Sequence, residues 1–355
     1  MRRVMERTAN DTSDLRLGGA WSARQRAKNG LLFALASLAL AASRAIPLRA
    51  LAAVGKALGL AAHALAGHER RTASANVARV FPELGERERA ALVRRNFVTL
   101  GEGLADAVAL MRARGGALLE VTPEARAVID AAIREGRGVV FASAHLGPWE
   151  RVAASLVAAG IPFATVARES YDPRFTRLYE ELRGRRGVRV VWRSRPGAAA
   201  RIVRTLRGGA VLGMPMDLCS RVPSCNAPFL GHDAQTPIGP ARIALRAGAA
   251  VVVGTVAPGG AGASPVGRPD APLVTSLVTS LVTSLATPLA TPLVITATRI
   301  PTGDLDPATE QGALDLTARI NGELSARIRA LPHAWVWMHD RFGSRADTGR
   351  TARAR

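Results

Sequence analysis

Apolar positions near the start of the chain fall in two long stretches. Residues 31–42 carry no charge, and a second apolar stretch over 48–66 follows a break at Arg44 and Pro47. The first stretch is shorter than the roughly 20 residues that span a bilayer. Together the two stretches predict a membrane anchor over 30–66, either one tilted span or a helix lying in the membrane interface. An ordinary buried helix and a signal sequence are the alternatives that the pattern leaves open.

The hydrophobic periodicity changes to that of amphipathic helices after residue 66. Pro82 ends a first helix, because its ring removes a backbone N–H and clashes with the preceding turn. A second helix is predicted from about 86 to 110, where apolar residues recur at helical spacing. Thr122 is placed to cap a third helix whose first residue is Pro123.

From residue 138 onwards, short apolar runs alternate with amphipathic segments. This alternation predicts an α/β fold, a mixed sheet flanked by helices, with the hydrophobic anchor helix in front of it. Strands are predicted at 138–143, 163–167, 188–192, 210–214, 250–256 and 293–299, and helices at 150–159, 173–183, 198–207 and 238–247.

A low-complexity repeat interrupts this order at 273–293, where Leu-Val-Thr-Ser occurs three times and Leu-Ala-Thr-Pro twice. A period of four matches no solenoid repeat, so the segment is expected to be an expanded loop between two hairpin strands; a loop that dips into the membrane is the alternative. The predicted organisation is a basic flexible tail at 1–29, the anchor at 30–66, one catalytic domain at 67–345 and a second basic tail at 346–355.

The charge of the chain points to an anionic partner. The formal net charge is +20, and Lys28 and Lys56 are the only lysines, so arginine carries almost all of it. Nucleic acid, an anionic membrane surface and a phosphorylated substrate would each fit. Aromatic residues make up only 4%, and no nucleic-acid-binding module is recognisable. Nucleic acid would also leave 31–66 unexplained, and we therefore expect none as a partner.

Metal and nucleotide chemistry find no support in the sequence. Cys219 and Cys225 are the only two cysteines, and a single pair at this spacing lacks the second half of a zinc site. No Walker loop or G-x-G-x-x-G fingerprint is present. We expect neither a bound metal nor a bound cofactor.

The run His-Leu-Gly-Pro-Trp-Glu, from His145 to Glu150, follows a predicted buried strand. Pro148 is suited to the start of a helix, which would place Glu150 on the first helical turn. A carboxylate returning to the imidazole could fix its tautomer and leave the other ring nitrogen as a base. Spacing alone also fits an ordinary strand–helix junction in which the two side chains do not touch.

The run resembles the H-x-x-x-x-[DE] block of glycerolipid-type acyltransferases, and among these the lipid A late acyltransferases. Four further blocks occur in the same order as in that family: Arg168 with Asp172-Pro173, then Leu178, Arg183 and Gly187-Val188; Met214-Pro215-Met216-Asp217; Ala227-Pro228-Phe229-Leu230-Gly231 followed by Thr236-Pro237 and Gly239-Pro240-Ala241; and Trp335-Val336-Trp337-Met338-His339-Asp340-Arg341-Phe342. The resemblance covers about residues 30–345. Leu218 stands after Asp217 where many members carry a second acid.

The resemblance implies the catalytic roles. His145 would be the general base and Glu150 its supporting carboxylate, with backbone N–H groups near Gly147 as candidate oxyanion donors. Arg168 and Asp217 would bind substrate. The co-substrate would be an acyl thioester, on acyl carrier protein or coenzyme A, and no covalent acyl-enzyme is required.

The family does not fix the acceptor. An anionic glycolipid, a lipid A precursor above all, suits a strongly basic protein. The alternatives are another lipid such as a phosphatidylinositol mannoside with acyl-CoA as donor, a hydrolase, and a non-catalytic lipid-binding relative. The resemblance implies a bacterial inner-membrane protein with its active site on the cytoplasmic side. If the anchor spans the membrane, the arginines before it are expected to keep the N-terminal tail cytoplasmic.

Overall fold

The apolar N-terminal stretch folds into two helices. The computed structural model describes residues 20–112, 118–220, 222–259 and 292–343. Helix α1 spans Ala23–Ser43 and α2 spans Leu48–Leu65. Helix α1 begins seven residues before the predicted anchor, because Ser22 and Gln25 cap it reciprocally. Among the described residues, α2 is the one helix long and apolar enough to cross a membrane.

Three helices lead from this pair to the sheet, as the sequence predicts. They are α3 (Gly67–Val80), α4 (Glu86–Leu110) and α5 (Pro123–Arg134). The predicted cap of α5 is confirmed, since the Thr122 side chain accepts a hydrogen bond from the Ala125 N–H.

Seven of the described strands form one sheet. They are β1 (Glu120–Val121), β2 (Val139–Ser143), β3 (Phe163–Ala167), β4 (Arg189–Trp192), β5 (Val211–Pro215), β8 (Ala250–Pro258) and β9 (Leu293–Ile300). Their order across the sheet is β1-β9-β8-β2-β5-β3-β4. Within this sheet β8 and β9 pair antiparallel and the other neighbours are parallel, so the predicted mixed α/β sheet is confirmed.

Helices cover the sheet, and the first four residues of its central strand, β2, are accordingly apolar and fully buried. The covering helices are α6 (Trp149–Ala158), α7 (Pro173–Gly184), α8 (Ala198–Arg207), α9 (Gly239–Ala247) and α10 (Glu310–Ala330). A short 3₁₀ helix, Pro332–Ala334, follows α10 and leads into the C-terminal segment.

A separate hairpin lies between β5 and α9, formed by β6 (Ser224–Phe229) and β7 (His232–Pro237). Leu230 and Gly231 join its strands, and both have positive φ, 53° and 87°, as a two-residue hairpin turn requires. The expected pairing of the strands around the repeat is confirmed by β8 and β9. Residues 273–291 of the repeat, residues 1–19 and the tail at 346–355 lie outside the described residues.

Candidate active site

The register of two parallel strands brings His145 and Asp217 together. Strands β2 and β5 pair in parallel up to Ser143 and Pro215, and each of the two side chains follows its strand by two residues. The carboxyl ends of parallel strands meet at one edge of the sheet, where α/β proteins commonly bind ligands. The two loops therefore face each other although 72 residues separate them in the sequence.

Asp217 holds His145 through both of its oxygens. Oδ2 accepts the His145 backbone N–H at 2.8 Å, and Oδ1 lies 2.9 Å from the ring Nδ1. The indole Nε1–H of Trp335 donates to Oδ2 at 2.8 Å. Because an ionised carboxylate only accepts, Nδ1 carries the proton of the neutral ring, and Nε2 is left as the base.

Electrostatics reinforce this arrangement. Burial alone would lower the pKa of His145, but the charge and hydrogen bond of Asp217, with the charge of Glu150, raise it above the ordinary value. For Asp217, burial would raise the pKa, and the contacts with His145 and Trp335 lower it instead. Asp217 is completely buried, whereas 28% of the His145 side chain is exposed, so only the histidine is open to a reactant.

Glu150 lies on the first turn of α6, as predicted, but its carboxylate is engaged elsewhere. Arg183 of α7 donates from Nε to Oε2 at 3.0 Å and from Nη2 to Oε1 at 2.7 Å. Both side chains are largely buried. From the sequence, Glu150 was expected to contact the imidazole and Asp217 to bind substrate. In the structure Asp217 contacts the imidazole, and Glu150 pairs with Arg183.

Gly147 sets the direction of the loop that carries His145. Its φ is +61°, and a methyl group at this position would lie 2.8 Å from Val256 Cγ2, so both conformation and space require glycine. Its N–H donates to the Ala334 carbonyl at 2.9 Å, while Leu146 pairs with Trp335 in an isolated bridge. The Gly147 N–H is thus already engaged, which leaves the other backbone N–H groups at the start of α6 as the candidate oxyanion donors.

A cavity of about 590 Å³ opens beside His145, and Glu150, Arg168 and Arg183 also line it. Arg168 is exposed there, with its guanidinium 4.5 Å from the centre of the Tyr171 ring. Most of the remaining lining is apolar and includes Phe141, Phe163, Ile202, Gly213, Ile243 and Gly254. A long apolar chain therefore has room next to a base and several cations.

Two side chains that hold the acidic residues of the site, Trp335 on Asp217 and Arg183 on Glu150, were given no role by the sequence. Trp335 stands in the terminal block, 190 positions after His145, and only tertiary packing brings it to Asp217. Arg183 follows Arg168 within the second block. Both lie in segments that carried the family resemblance, which was the signal that could have found them.

Comparison with known proteins matches the sequence to the model of one family. The family model of bacterial lipid A biosynthesis acyltransferases matches residues 22–258. The matched region contains the apolar helices, His145, Glu150, Arg168, Arg183 and Asp217, whereas Trp335 lies beyond it. No curated protein sequence matches the chain. Because the family model covers more than half of the chain, this protein belongs to the bacterial lipid A biosynthesis acyltransferase family and is an acyltransferase.

Proposed function

We propose that this enzyme transfers a fatty acyl group from an acyl thioester, carried by acyl carrier protein, to a hydroxyl of a lipid A precursor at the bacterial inner membrane. The observation that carries the proposal is the buried Asp217 carboxylate, which holds Nδ1 of His145, a residue that lines the cavity, and leaves Nε2 as the base.

His145 acts first as a base and then as an acid. Nε2 takes the proton of the acceptor hydroxyl while its oxygen attacks the thioester carbonyl, forming a carbon–oxygen bond. As the tetrahedral intermediate collapses, the carbon–sulfur bond breaks and the imidazolium returns its proton to the departing thiolate. The products are an ester and a free thiol, and Asp217 stabilises the imidazolium between the two proton transfers.

The ion pair of Glu150 and Arg183 supports the histidine through its charge. The charge of Glu150 raises the pKa of His145 without occupying a ring nitrogen. Arg183 holds that carboxylate in a largely buried position through two parallel hydrogen bonds. Glu150 is therefore a positioning and electrostatic residue in this proposal, not the direct partner of the imidazole.

The cavity also offers binding sites for the acyl chain and for a phosphate group. Its apolar lining, with Phe141 and Phe163, takes the acyl chain. Arg168, exposed in the same cavity, binds a phosphate of the acceptor or of the carrier's phosphopantetheine, for which a guanidinium is well suited. The net charge of +20 favours an acceptor with several negative charges.

The proposal is tested with the purified full-length protein, an acyl carrier protein thioester and a lipid A precursor. Mass spectrometry is expected to show product heavier by one acyl chain, and His145→Ala is expected to abolish it. His68→Ala, at an exposed histidine on α3, is the matched control and should retain activity. Free fatty acid without acylated lipid would instead indicate a hydrolase, and no turnover with any thioester would contradict the proposal.

A further inference from the structure

Helices α1 and α2 present an unusual exterior for a folded domain. Large apolar side chains point outward along both of them, including Leu35, Leu38 and Leu58, which are 54%, 66% and 52% exposed. Residues 20–66 contain six cationic residues and no acidic one. Apolar faces bordered by Lys and Arg alone match a membrane interface rich in anionic lipid. The cations are Arg24, Arg26, Lys28, Arg44, Arg49 and Lys56, all exposed.

The opposite side of α2 packs closely against α4 along most of the length of α2. A methyl group on Gly55 would lie 2.7 Å from Ala105 Cβ, and one on Gly59 would lie 2.8 Å from Val98 Cα. On α4, a methyl group on Gly101 would lie 2.8 Å from the Gly59 nitrogen. The two backbones are thus in direct contact, as in helix pairs built on small residues four apart. The helices run antiparallel, because α2 residues of rising number meet α4 residues of falling number.

Helix α4 is an unsuitable neighbour for a membrane-spanning helix. It carries Arg94, Arg95, Glu102 and Asp106 over the stretch that accompanies α2. If α2 crossed the bilayer, these charges and Lys56 at its middle would be carried towards the hydrocarbon, where charged side chains are strongly disfavoured. The 18 residues of α2 also measure only about 27 Å, slightly less than the hydrocarbon thickness.

Helix α4 is in turn anchored in the catalytic domain and cannot follow α2 into a membrane. The Asn96 side-chain amide donates to the backbone carbonyls of His333 and Trp335. Asp106 pairs with Arg151 at 3.0 Å, the residue that follows Glu150 on α6. Separating α2 from the domain would break the glycine contacts, and moving α4 would disturb the site itself.

From this packing we infer that α2 lies in the surface of an anionic bilayer, with its exposed apolar face in the membrane interface, and does not cross the bilayer. The inference rests on the proposed function for its cellular setting. Helix α1 contacts α7, the helix that supplies Arg183 to the cavity: the Phe33 ring lies 5.6 Å from the Phe175 ring and 4.6 Å from the Arg174 guanidinium. The exposed apolar helices are thus joined to the wall of the cavity through α7.

The side of the membrane on which the two ends of α2 lie shows whether this helix lies in the surface or crosses the bilayer. In the full chain with Cys219→Ala and Cys225→Ala, single cysteines are introduced as Ala45→Cys before α2 or His68→Cys after it. A membrane-impermeant maleimide is applied to inside-out and right-side-out membrane vesicles. Both positions are expected to react in the same vesicle orientation. Reaction of the two in opposite orientations would overturn the inference, whatever the outcome of the acylation assay.

Vesicle binding tests the chemistry of the surface. The purified full-length protein should bind vesicles containing phosphatidylglycerol more tightly than vesicles of phosphatidylcholine alone, and added salt should weaken this binding by screening. Val54→Glu on α2 is expected to weaken it about tenfold, or about 1.4 kcal/mol. Val203→Glu on α8, at a valine of similar exposure (36% against 41%), is the matched control. An equal loss of vesicle binding in both variants, or equal binding to charged and uncharged vesicles, would contradict an anionic interface.

Discussion

Asp217 makes contacts that no spacing along the chain could have indicated. Its partner His145 is 72 positions away, and the pair forms only because β2 and β5 are neighbours in parallel register. Spacing made Glu150, five positions from His145, only a candidate partner, and the family resemblance assigned it that role; it does lie on the predicted helical turn. Sequence could thus identify His145 and the acidic residues of the site, but not which carboxylate meets the ring.

Replacing Asp217 by Asn tests the assignment. The neutral amide no longer raises the pKa of His145, so the acid limb of the pH–rate profile should move to lower pH, because the base then loses its proton earlier. The imidazolium also loses its counter-charge, and kcat should fall on the order of 10²–10⁴-fold. Since Asp217 is completely buried, KM for the acceptor should change little. An unshifted acid limb with normal kcat would rule out the pairing as functional.

The ion pair of Arg183 with Glu150 can be tested by single-residue substitution as well. Arg183→Met leaves the carboxylate of Glu150 largely buried without its partner, which should lower the free energy of unfolding by about 3 kcal/mol. The double variant Arg183→Met with Glu150→Gln removes the unpaired charge and should recover part of the loss. Chemical denaturation measures both. Equal stability of the single and double variants would show that the ion pair is not buried as described.

At the scale of elements, periodicity and capping predicted most of the architecture. Helices α4 and α8 and strand β3 have the expected bounds, because apolar residues recur along each of them at the spacing that the element requires. The β6–β7 hairpin was not predicted, since Leu230 takes a positive φ in a turn where glycine or asparagine is the usual signal. The early start of α1 follows from a local cap in a polar segment that lacks hydrophobic periodicity.

The loop between β2 and α6 predicts a specific effect of Gly147→Ala. Alanine there must adopt a positive φ and also overlap Val256, so both stability and kcat should fall. Gly136→Ala is the matched control: its φ is +74°, yet nothing lies within 4 Å of an added methyl group. It should lose only about 1 kcal/mol of stability and keep its activity.

Thermal unfolding and initial rates distinguish the two glycine variants. Adding Val256→Ala to Gly147→Ala should relieve the overlap and restore part of the activity, whereas the strain of the positive φ should remain. If Gly136→Ala and Gly147→Ala behaved alike in both measurements, packing against β8 would not be what positions the His145 loop.

Across the whole molecule, one basic chain combines exposed apolar helices, a cavity with an apolar lining and a histidine at the sheet edge. In the proposed setting, the cations of residues 20–66 attract an anionic surface, and Arg168 and Arg183 bring further positive charge to the cavity. Fold class and family could be predicted from the whole sequence. The packing of α2 on α4 could not, because it depends on glycine contacts between helices some 40 residues apart.

The most direct test of the central claim is the mass of lipid A extracted from cells. A strain without this gene should accumulate lipid A lighter by one acyl chain, and the wild-type gene should restore the full mass. The His145→Ala gene, expressed at the same level, should leave the lipid at the lower mass. Lipid A of unchanged mass in the deletion strain, or full restoration by His145→Ala, would contradict the account.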